Sequence, residues 1–402
     1  MRLACLSDLH LGFRAYTAAE GGRNVREMDV EKAFATAIDQ IIEYRPHIVT
    51  IAGDVFHSPA VSDYAKLAFL LGVRRLLEAG FIVIIEQGNH DAGKTANVLT
   101  PLMLATALAG RLHVVTTPKR IDVTVWQDAV TSQKVSVACF PYVARGNGEK
   151  YVLEPNPDAD LNILVMHAAV AGDQDGNLPW FYSGGESVDV TREAEKWDII
   201  HLGDFHEYRL FNCPGRVFYS GSIERTSSDI WKEHSGKGWV SVDTEKLGHV
   251  GVDFHEIPTR PMEDLTFPED LLDVQSAAAA VNGFLTELTW VDAVEPHPDE
   301  GAVGVEDAIM RLVVPDFPRD QRDQIDWKLV EQIKQRALYF DLDLRYKKVE
   351  TVDLGGTETS KSASIEDALR ALCGDDAELL RLIMDYVAPT QEIERALEEA
   401  VA

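Results

Sequence analysis

The sequence predicts an α/β protein with a largely parallel β-sheet and a second, mostly antiparallel sheet packed on it. Three observations support this fold class. Short apolar strands recur that end in turns carrying Asp, Asn or His, helical patterns separate the first three of them, and from about residue 120 short strands follow one another with few helices between. Strand–helix–strand repetition implies right-handed crossovers and a parallel sheet.

Five of the predicted strands end in polar residues of the kinds that bind metal ions. The apolar runs are nearly continuous, as in strands covered on both faces. The runs and their clusters are 3–6 with Asp8 and His10; 48–51 with Asp54 and His57; 81–85 with Asn89, His90 and Asp91; 163–166 with His167; and 199–202 with Asp204 and His206. Because ligands bind beyond the carboxyl ends of parallel strands, we expect these clusters to converge in space.

Two amphipathic helices are predicted between the first three strands. We expect Asp29 to cap the first helix and Ser62 to cap the second, which Gly80 should close. The apolar face of the first helix comprises Val30, Ala33, Phe34, Ala37, Ile38, Ile41 and Ile42. The apolar face of the second comprises Leu67, Leu70, Leu71, Leu76 and Leu77.

The last third of the chain has a different organisation. After Pro258 the pattern predicts a helix (269–286), a strand (308–314), a helix (320–337) and a strand (342–349), which indicates a small separate α/β unit. The stretch 351–363 is polar and rich in Gly, Ser and Thr, as in a linker. Residues 364–402 carry short amphipathic helical patterns.

Composition indicates a globular protein and limits its partners. With 402 residues, two or three structural units are expected, and no apolar run approaches transmembrane length, so we expect no membrane partner. The four cysteines are scattered, so neither a disulfide framework nor a thiolate zinc site is expected, and a reducing cytoplasm fits. The net charge of −28 repels polyanions as a whole. A small substrate, a local basic patch or a partner that binds the polyanion all remain open.

The convergent clusters together favour a metal centre. Each Asp-x-His pair alone fits a surface turn equally well, whereas five such strand ends in order are improbable by coincidence. A mixed Asp, Asn and His set without thiolates suits Mn²⁺, Fe or Zn²⁺, and its hard donors favour Mn²⁺. Two such ions ~3.5–4 Å apart, bridged by one carboxylate, are a common device for attack on phosphate esters. His57 and His90, if not ligands, are placed to donate protons or hydrogen bonds.

These residues resemble the five motifs of the calcineurin-like metallophosphoesterase superfamily. The stretches "SDLHLG" and "MDVEKAF" and the three-residue step from Asp54 to His57 resemble, more particularly, the SbcD/Mre-type nuclease subunit of DNA-break repair complexes. The superfamily resemblance extends over about residues 1–255. It implies a four-layer fold of two β-sheets flanked by helices for a nuclease domain (1–257), followed by an α/β capping domain (258–350), a linker (351–363) and a helical segment that docks on an ATPase (364–402).

The resemblance also implies a role for each residue of the centre. One ion would be held by Asp8, His10 and His206, here termed the first ligand group. The second ligand group comprises Asn89, His167 and Asp204. Asp54 would bridge the two ions, His90 would act at the scissile phosphate and His57 would support the transition state.

The chain departs from the family at residue 204, where Gly-Asp-x-His replaces the usual Gly-His-x-His. Asp204 has the same strand parity as His206 and a hard oxygen donor, so we expect it to be a ligand. His201 lies five residues from His206 and would face the opposite side of an extended chain. Loss of catalysis through this exchange is the alternative.

The function implied is a Mn²⁺-dependent DNA exonuclease and endonuclease subunit that acts with an SbcC/Rad-type ABC ATPase and forms a homodimer. Arg14, Arg23 and Arg26, in the loop before the first helix, are candidate DNA contacts. Two alternatives remain open. One is a small-molecule phosphodiesterase or phosphatase of the same fold, and the other is a catalytically weakened scaffold for the ATPase.

Overall fold

The computed structural model describes residues 1–92, 100–126, 130–142, 154–171, 188–189, 193–213, 215–246, 248–268, 276–290 and 305–346. All of them belong to one compact unit, Met1–Tyr346. A second unit, Lys347–Ala402, lies outside the described residues, and so do the predicted linker and the C-terminal helices.

The strands are numbered in chain order. They are β1 (Arg2–Leu6), β2 (Ala19–Glu20), β3 (Arg23–Asn24), β4 (Ile48–Ala52), β5 (Ile82–Glu86), β6 (Leu112–Val115), β7 (Lys119–Trp126), β8 (Ser132–Phe140), β9 (Leu161–His167), β10 (Val170–Ala171), β11 (Val188–Asp189), β12 (Ile199–Gly203), β13 (Arg209–Leu210), β14 (Arg216–Tyr219), β15 (Gly238–Asp243), β16 (Val252–Glu256), β17 (Met262–Thr266), β18 (Ile309–Phe317) and β19 (Tyr339–Tyr346). The α-helices within the described ranges are α1 (Val25–Tyr44), α2 (Asp63–Glu78), α3 (Ala277–Trp290) and α4 (Trp327–Arg336).

The first sheet places three of the ligand-bearing strands side by side. Its strand order is β16-β15-β1-β4-β5-β6, in which β1, β4, β5 and β6 run parallel. The carboxyl ends of β1, β4 and β5 therefore meet at one edge. β15 and β16, predicted for the second sheet, instead pair antiparallel beyond β1. They satisfy backbone groups of β1 that an edge strand would leave unpaired.

The second sheet is mixed, and the prediction that it is mostly antiparallel is wrong. Its order is β13-β14-β12-β9-β8-β7, and the four central strands run parallel, with antiparallel pairs only at the two edges. The connections between the central strands are a dozen residues or longer, which is enough for the crossovers that parallel pairing needs. Parallel pairing brings the carboxyl ends of β9 and β12 to one edge.

The apolar core separates into layers because side chains alternate along each strand. In β1, Leu3 and Cys5 belong to the core shared by the two sheets, whereas Ala4 and Leu6 pack in the core beneath α1 and α2. A third apolar cluster around Trp197 includes residues of the second sheet. The fold class predicted from the sequence, two sheets with flanking helices, is confirmed.

The helix boundaries confirm one predicted cap and contradict another. Ser62 caps α2, where its hydroxyl accepts a hydrogen bond from Ala65 N. Asp29 does not cap α1, because the helix begins earlier, at Val25, and the side chain of Asn24 accepts from Arg26 N and Glu27 N.

The exposure of the predicted helix faces also differs between the two helices. The predicted face of α1 is buried from Val30 to Ile41. On α2, however, Leu67 and Leu71 are exposed, because Phe69, Val73 and Leu76 form the buried face.

The region after Pro258 forms its own small layer. Strands β17, β18 and β19 make a parallel three-stranded sheet, and α3 and α4 share an apolar core with it. Its assignment as a capping domain remains a prediction. No helix in the described parts of the chain is both long and apolar enough to cross a membrane.

Candidate metal centre

The backbone at the carboxyl edge of the sheets turns sharply to aim the polar side chains. Asp8 N donates to Gly53 O (3.1 Å), and His10 N donates to Asp54 O (2.9 Å), which ties the ends of β1 and β4 together. Asp8, His10, Asp54 and Asp204 all have positive φ, between 47° and 98°. A non-glycine residue in this region typically costs ~1 kcal/mol or more, so the surrounding structure holds these four turns against strain.

Two glycines make the close approach of these turns possible. Gly53 has φ +78°, and a Cβ there would lie 2.3 Å from His167 Nδ1. At Gly88 a Cβ would lie 2.1 Å from Asp54 Oδ1. No side chain fits at either position, so glycine at both allows β4, β5 and β9 to bring their ligands together.

The side chains of the first ligand group lie close together. His10 Nε2 and His206 Nε2 lie 3.1 Å apart, and the ligand atoms of both residues and of Asp8 lie within 4.8 Å of one another. Both carboxylate oxygens of Asp8 accept from Asp204 N (3.1 and 3.2 Å), which fixes the carboxylate toward the centre.

The second ligand group lies on the other side of Asp54. His167 Nε2 is 2.8 Å from Asn89 Oδ1, 3.4 Å from Asp54 Oδ2 and 3.6 Å from Asp204 Oδ1. His167 Nδ1 lies 2.9 Å from Ala52 O, which can only accept, so the proton belongs on Nδ1 and Nε2 presents a lone pair.

The donor set therefore fits a divalent cation. The side chains of Asn89, His167, Asp54 and Asp204 face one another in this group. With the amide of Asn89 turned, its NH2 donates to His167 Nε2 (2.8 Å) and to Asp54, and with its oxygen facing inward, as a metal ligand would have it, a shared cation satisfies the same groups. Asp54 reaches both groups, since its Oδ2 is also 3.7 Å from His10 Nε2. Asp204 lies with the second group, although its role as a ligand remains a prediction.

The pKa shifts reflect the concentration of negative charge in this buried site. Burial alone would raise the pKa of Asp54, but the adjacent His167 and His10 hold it below its ordinary value. Burial alone would lower the pKa of His167, but Asp54 and Asp8 raise it well above its ordinary value. Burial lowers the pKa of His10, which favours the neutral imidazole that a metal ligand requires. The cluster thus attracts positive charge, whether as a proton or as a metal ion.

His57 and His90 lie beside the first ligand group with their rings oriented by neighbours. His90 Nδ1 is 2.8 Å from His57 O, so it donates there and leaves Nε2 free. His57 Nδ1 is 3.3 Å from His10 Nδ1. If His10 binds an ion through Nε2, its Nδ1 carries the proton and donates to His57 Nδ1, and His57 then presents an Nε2–H donor.

His201 lies outside the centre, on the far side of β12. It is fully buried, with Nδ1 2.9 Å from Thr50 Oγ1 and Nε2 3.0 Å from Ser220 Oγ. Burial lowers the pKa of His201 to about 3, so the ring is neutral at physiological pH. Both ring nitrogens are engaged in hydrogen bonds, and the one with Thr50 of β4 joins the two sheets.

Three further buried charged residues were not assigned roles from the sequence. Asp91 accepts hydrogen bonds from the backbone N–H groups of Val55, Phe56 and Gly88, and so braces the loop that carries Asp54. Burial raises its pKa to about 7. Glu233 and Lys237 form a buried ion pair next to His206. A search for polar residues directly after predicted strands could not find Glu233 and Lys237, because these two residues follow a 3₁₀ turn rather than a strand.

The three candidate DNA-contacting arginines differ in accessibility. Arg14 is exposed and pairs with Glu27 (2.9 Å). Arg23 is partly exposed and pairs with Glu31. Arg26 is only 1% exposed, and its guanidinium bonds to Asp29 (2.9 Å) and Arg225 O (2.8 Å). Arg26 therefore braces the start of α1 rather than presenting a charge at the surface.

The fold and this set of residues define a metallophosphoesterase-type centre, and comparison with known proteins agrees. Residues 1–273 match the family model described as calcineurin-like phosphoesterase, so the chain belongs to that family.

The curated proteins to which this chain is similar are DNA double-strand break repair proteins. The DNA double-strand break repair protein Mre11 of Methanococcus maripaludis is 34% identical over 265 residues, which cover 63% of this chain and 64% of that protein. The Mre11 of Sulfurisphaera tokodaii is 26% identical over 259 residues, with 63% and 60% covered. This chain thus spans less than two thirds of these relatives' length. The solved structure of TT1561 of Thermus thermophilus has a TM-score of 0.37 and 10% identity, and covers 63% of this chain and 98% of that one. The relatives confirm the resemblance to SbcD/Mre-type proteins drawn from the motifs.

Proposed function

We propose that this chain is a Mn²⁺-dependent phosphodiesterase that cleaves DNA as an exonuclease and endonuclease. One observation carries the proposal: seven side chains from five strand ends place their metal-binding atoms in two adjoining groups, with Asp54 between them. The similarity to Mre11 proteins, whose name refers to DNA double-strand break repair, supports DNA as the substrate.

Each residue has a role that its surroundings support. Asp8, His10 and His206 would hold one ion, Asn89, His167 and Asp204 the other, and Asp54 both. Bound divalent ions supply an acidified water nucleophile and neutralise charge on the phosphate. His90, with its Nδ1 committed to His57 O, offers Nε2 to a phosphate oxygen or leaving group.

A nuclease assay tests the proposal directly. The full chain is incubated with linear DNA and Mn²⁺, with Asp54→Ala and the exposed surface variant Asp158→Ala in parallel. We expect Asp54→Ala to abolish cleavage, because it removes the carboxylate that reaches both ligand groups, and Asp158→Ala to retain it. Equal cleavage by all three proteins would exclude this centre as the source of the activity.

The net charge of −28 favours a second candidate, a phosphodiesterase for small substrates. A polyanion needs a basic surface, and all three candidate arginines, Arg14, Arg23 and Arg26, are already paired with glutamates. Turnover of bis-p-nitrophenyl phosphate or cyclic nucleotides without any DNA cleavage would select this candidate.

A catalytically weakened scaffold is the third candidate, and metal content distinguishes it. The carboxylate at residue 204 adds negative charge to the second ligand group, so we expect two equivalents of Mn²⁺ to bind. A chain that binds less than one equivalent and cannot be reconstituted would be a scaffold.

We further propose that α2 forms the interface of a homodimer. Tyr64, Leu67 and Leu71, spaced three and four residues apart, make an exposed apolar stripe, and Leu104 is also exposed. A second copy of this chain would cover such a stripe. Light scattering should show a dimer that Leu67→Glu converts to a monomer, whereas Val250→Glu, at an exposed apolar position elsewhere, leaves it intact. A dimer that survives Leu67→Glu would exclude this interface.

The partner proposal rests on the sequence of residues 364–402, which lie outside the described residues. We propose that this segment docks on an SbcC/Rad-type ABC ATPase that shares DNA binding. Its deletion should abolish co-purification with the ATPase and leave cleavage of short DNA intact. Continued co-purification would exclude the segment as the docking site.

A further inference from the structure

We propose that Glu233 and Lys237 are positioning residues that fix the ring and the backbone of His206, so that His206 presents Nε2 to the ion of the first ligand group. This inference rests on the proposed metal-dependent function. It adds two residues to the centre that lie outside the ligand set.

The ring of His206 is oriented by Glu233. Nε2 of His206 faces His10 Nε2 at 3.1 Å, on the side of the ligand cluster. Its Nδ1 is buried without a hydrogen bond in the described part of the chain, and Glu233 Oε1 lies 3.6 Å from it. A neutral imidazole that binds metal through one nitrogen carries its proton on the other, and a small closure of this gap lets that proton meet a carboxylate.

The backbone of His206 is fixed by two donors. Lys237 Nζ donates to His206 O (2.8 Å), and Ser222 N donates to the same oxygen (3.1 Å), whereas the Ser222 hydroxyl has its shorter hydrogen bond with Glu224 O (2.8 Å). Lys237 also forms an ion pair with Glu233. The two charged residues therefore contact one metal-ligand candidate at two points, one on its ring and one on its carbonyl.

Glu233 is itself held in place from its own loop. Ser227 N donates to Glu233 Oε1 (2.9 Å), and the side chain is 4% exposed, whereas Lys237 is 1% exposed. Burying two charges costs desolvation energy, and apolar replacements of such pairs are often neutral or stabilising. Stabilisation of the fold alone therefore explains this pair poorly, whereas its contacts with His206 explain it as a means of positioning that residue.

The histidines of the two ligand groups therefore differ in the group that faces their Nδ1 atoms. His167, in the second group, has its Nδ1 against the neutral carbonyl of Ala52 (2.9 Å). His206, in the first group, has a carboxylate there. A carboxylate behind a histidine ligand raises the basicity of that ligand more than a carbonyl does, so Glu233 should strengthen binding at the first group specifically.

Calorimetric titration of the full chain with Mn²⁺ alone tests the inference. The informative variant is Glu233→Gln combined with Lys237→Met, because it removes both charges and leaves neither one buried without its partner. We expect two Mn²⁺ ions to bind the unmodified chain, and one of the two sites to weaken about 10–100-fold in the double variant. Electron paramagnetic resonance should then show loss of the coupled Mn²⁺ pair at low metal concentration.

A matched control removes another buried pair that does not touch a ligand. Arg26 and Glu224 are 1% and 2% exposed and lie 3.3 Å apart. Arg26→Met combined with Glu224→Gln should leave both Mn²⁺ affinities unchanged. If the first double variant does not fold, Glu233→Gln is compared with Glu224→Gln, since each keeps the side-chain volume, removes one buried carboxylate and leaves its cationic partner in place.

The outcomes separate this inference from the proposed function. Two Mn²⁺ sites with unchanged affinities in the Glu233 variant would overturn the positioning role and leave the proposed function standing. Equal weakening in both double variants would also overturn it, because the effect would then come from general loosening of the fold. Absence of Mn²⁺ binding by the unmodified chain would overturn both proposals.

Discussion

Replacing His201 by glutamine should make the protein less sensitive to acid. The imidazole is fully buried between Thr50 and Ser220, and burial lowers its pKa to about 3 from 6.5. Glutamine can still accept from one hydroxyl and donate to the other, but it does not titrate. The substitution thus removes a group that binds a proton only after unfolding.

The magnitude follows from the two pKa values. Below pH 6.5 the unfolded chain protonates His201 while the folded chain does not, so stability falls as the pH falls, and this loss continues until the folded pKa near 3. Between pH 7.5 and pH 5 the loss from this one residue is about 2 kcal/mol. The destabilisation that His201→Gln causes at pH 7.5 should therefore shrink by about 2 kcal/mol at pH 5.

Urea unfolding at pH 7.5, 6 and 5 measures this difference, with His234→Gln at an exposed position as the control for loss of an imidazole. The Mn²⁺ stoichiometry of His201→Gln should stay at that of the unmodified chain, because His201 lies outside both ligand groups. A destabilisation that is the same at all three pH values would refute the assignment of His201 as a buried neutral histidine. A lost Mn²⁺ site would refute its place outside the centre.

Three other substitutions test the geometry of the centre. Gly88→Ala places a Cβ 2.1 Å from Asp54 Oδ1, so we expect it to displace the bridging carboxylate and lower Mn²⁺ affinity at both sites in calorimetry; unchanged affinity would contradict the packing. Asp204→Ala removes the carboxylate beside His167 and should weaken only one of the two Mn²⁺ sites, and a variant that binds both ions as before would exclude Asp204 as a ligand. The two carboxylate oxygens of Asp91 together accept hydrogen bonds from three backbone N–H groups, and Asp91→Asn replaces one of these oxygens by an NH₂ group that cannot accept. We expect this substitution to lower the free energy of unfolding by ~2–3 kcal/mol, whereas an unchanged urea midpoint would show that the loop does not depend on the Asp91 carboxylate.

The convergence of the centre was predictable because its signal is local. Each cluster follows its strand directly, and parallel strands bring their carboxyl ends to one edge whatever the chain does in between. A parity argument placed His201 on the side of the extended chain opposite His206, and His201 lies hydrogen-bonded to Thr50, away from the ligand groups. The assignment of Asp204 to the second ligand group came from the family resemblance, and Asp204 Oδ1 lies 3.6 Å from His167 Nε2.

Other features depend on contacts that no local pattern encodes. Arg26 has the sequence context of an exposed loop arginine, but it is buried because Arg225 O, 199 positions away, accepts its hydrogen bond. The role proposed for Glu233 and Lys237 depends on their contacts with His206, which lies on a different loop. The central strands of the second sheet are parallel because of long crossovers, whose direction strand composition alone does not specify.

The distance along the chain between the partners of the first ligand group has a consequence for synthesis on the ribosome. His10 and His206 lie 3.1 Å apart but are separated by 196 positions. At translation rates of ~5–20 residues per second, about 10–40 s pass between the emergence of one and the emergence of the other. During that interval β1 also lacks its antiparallel neighbour β15. A nascent chain therefore cannot assemble the centre, and a hydrolase built this way stays inactive until nearly all of its catalytic fold has been translated.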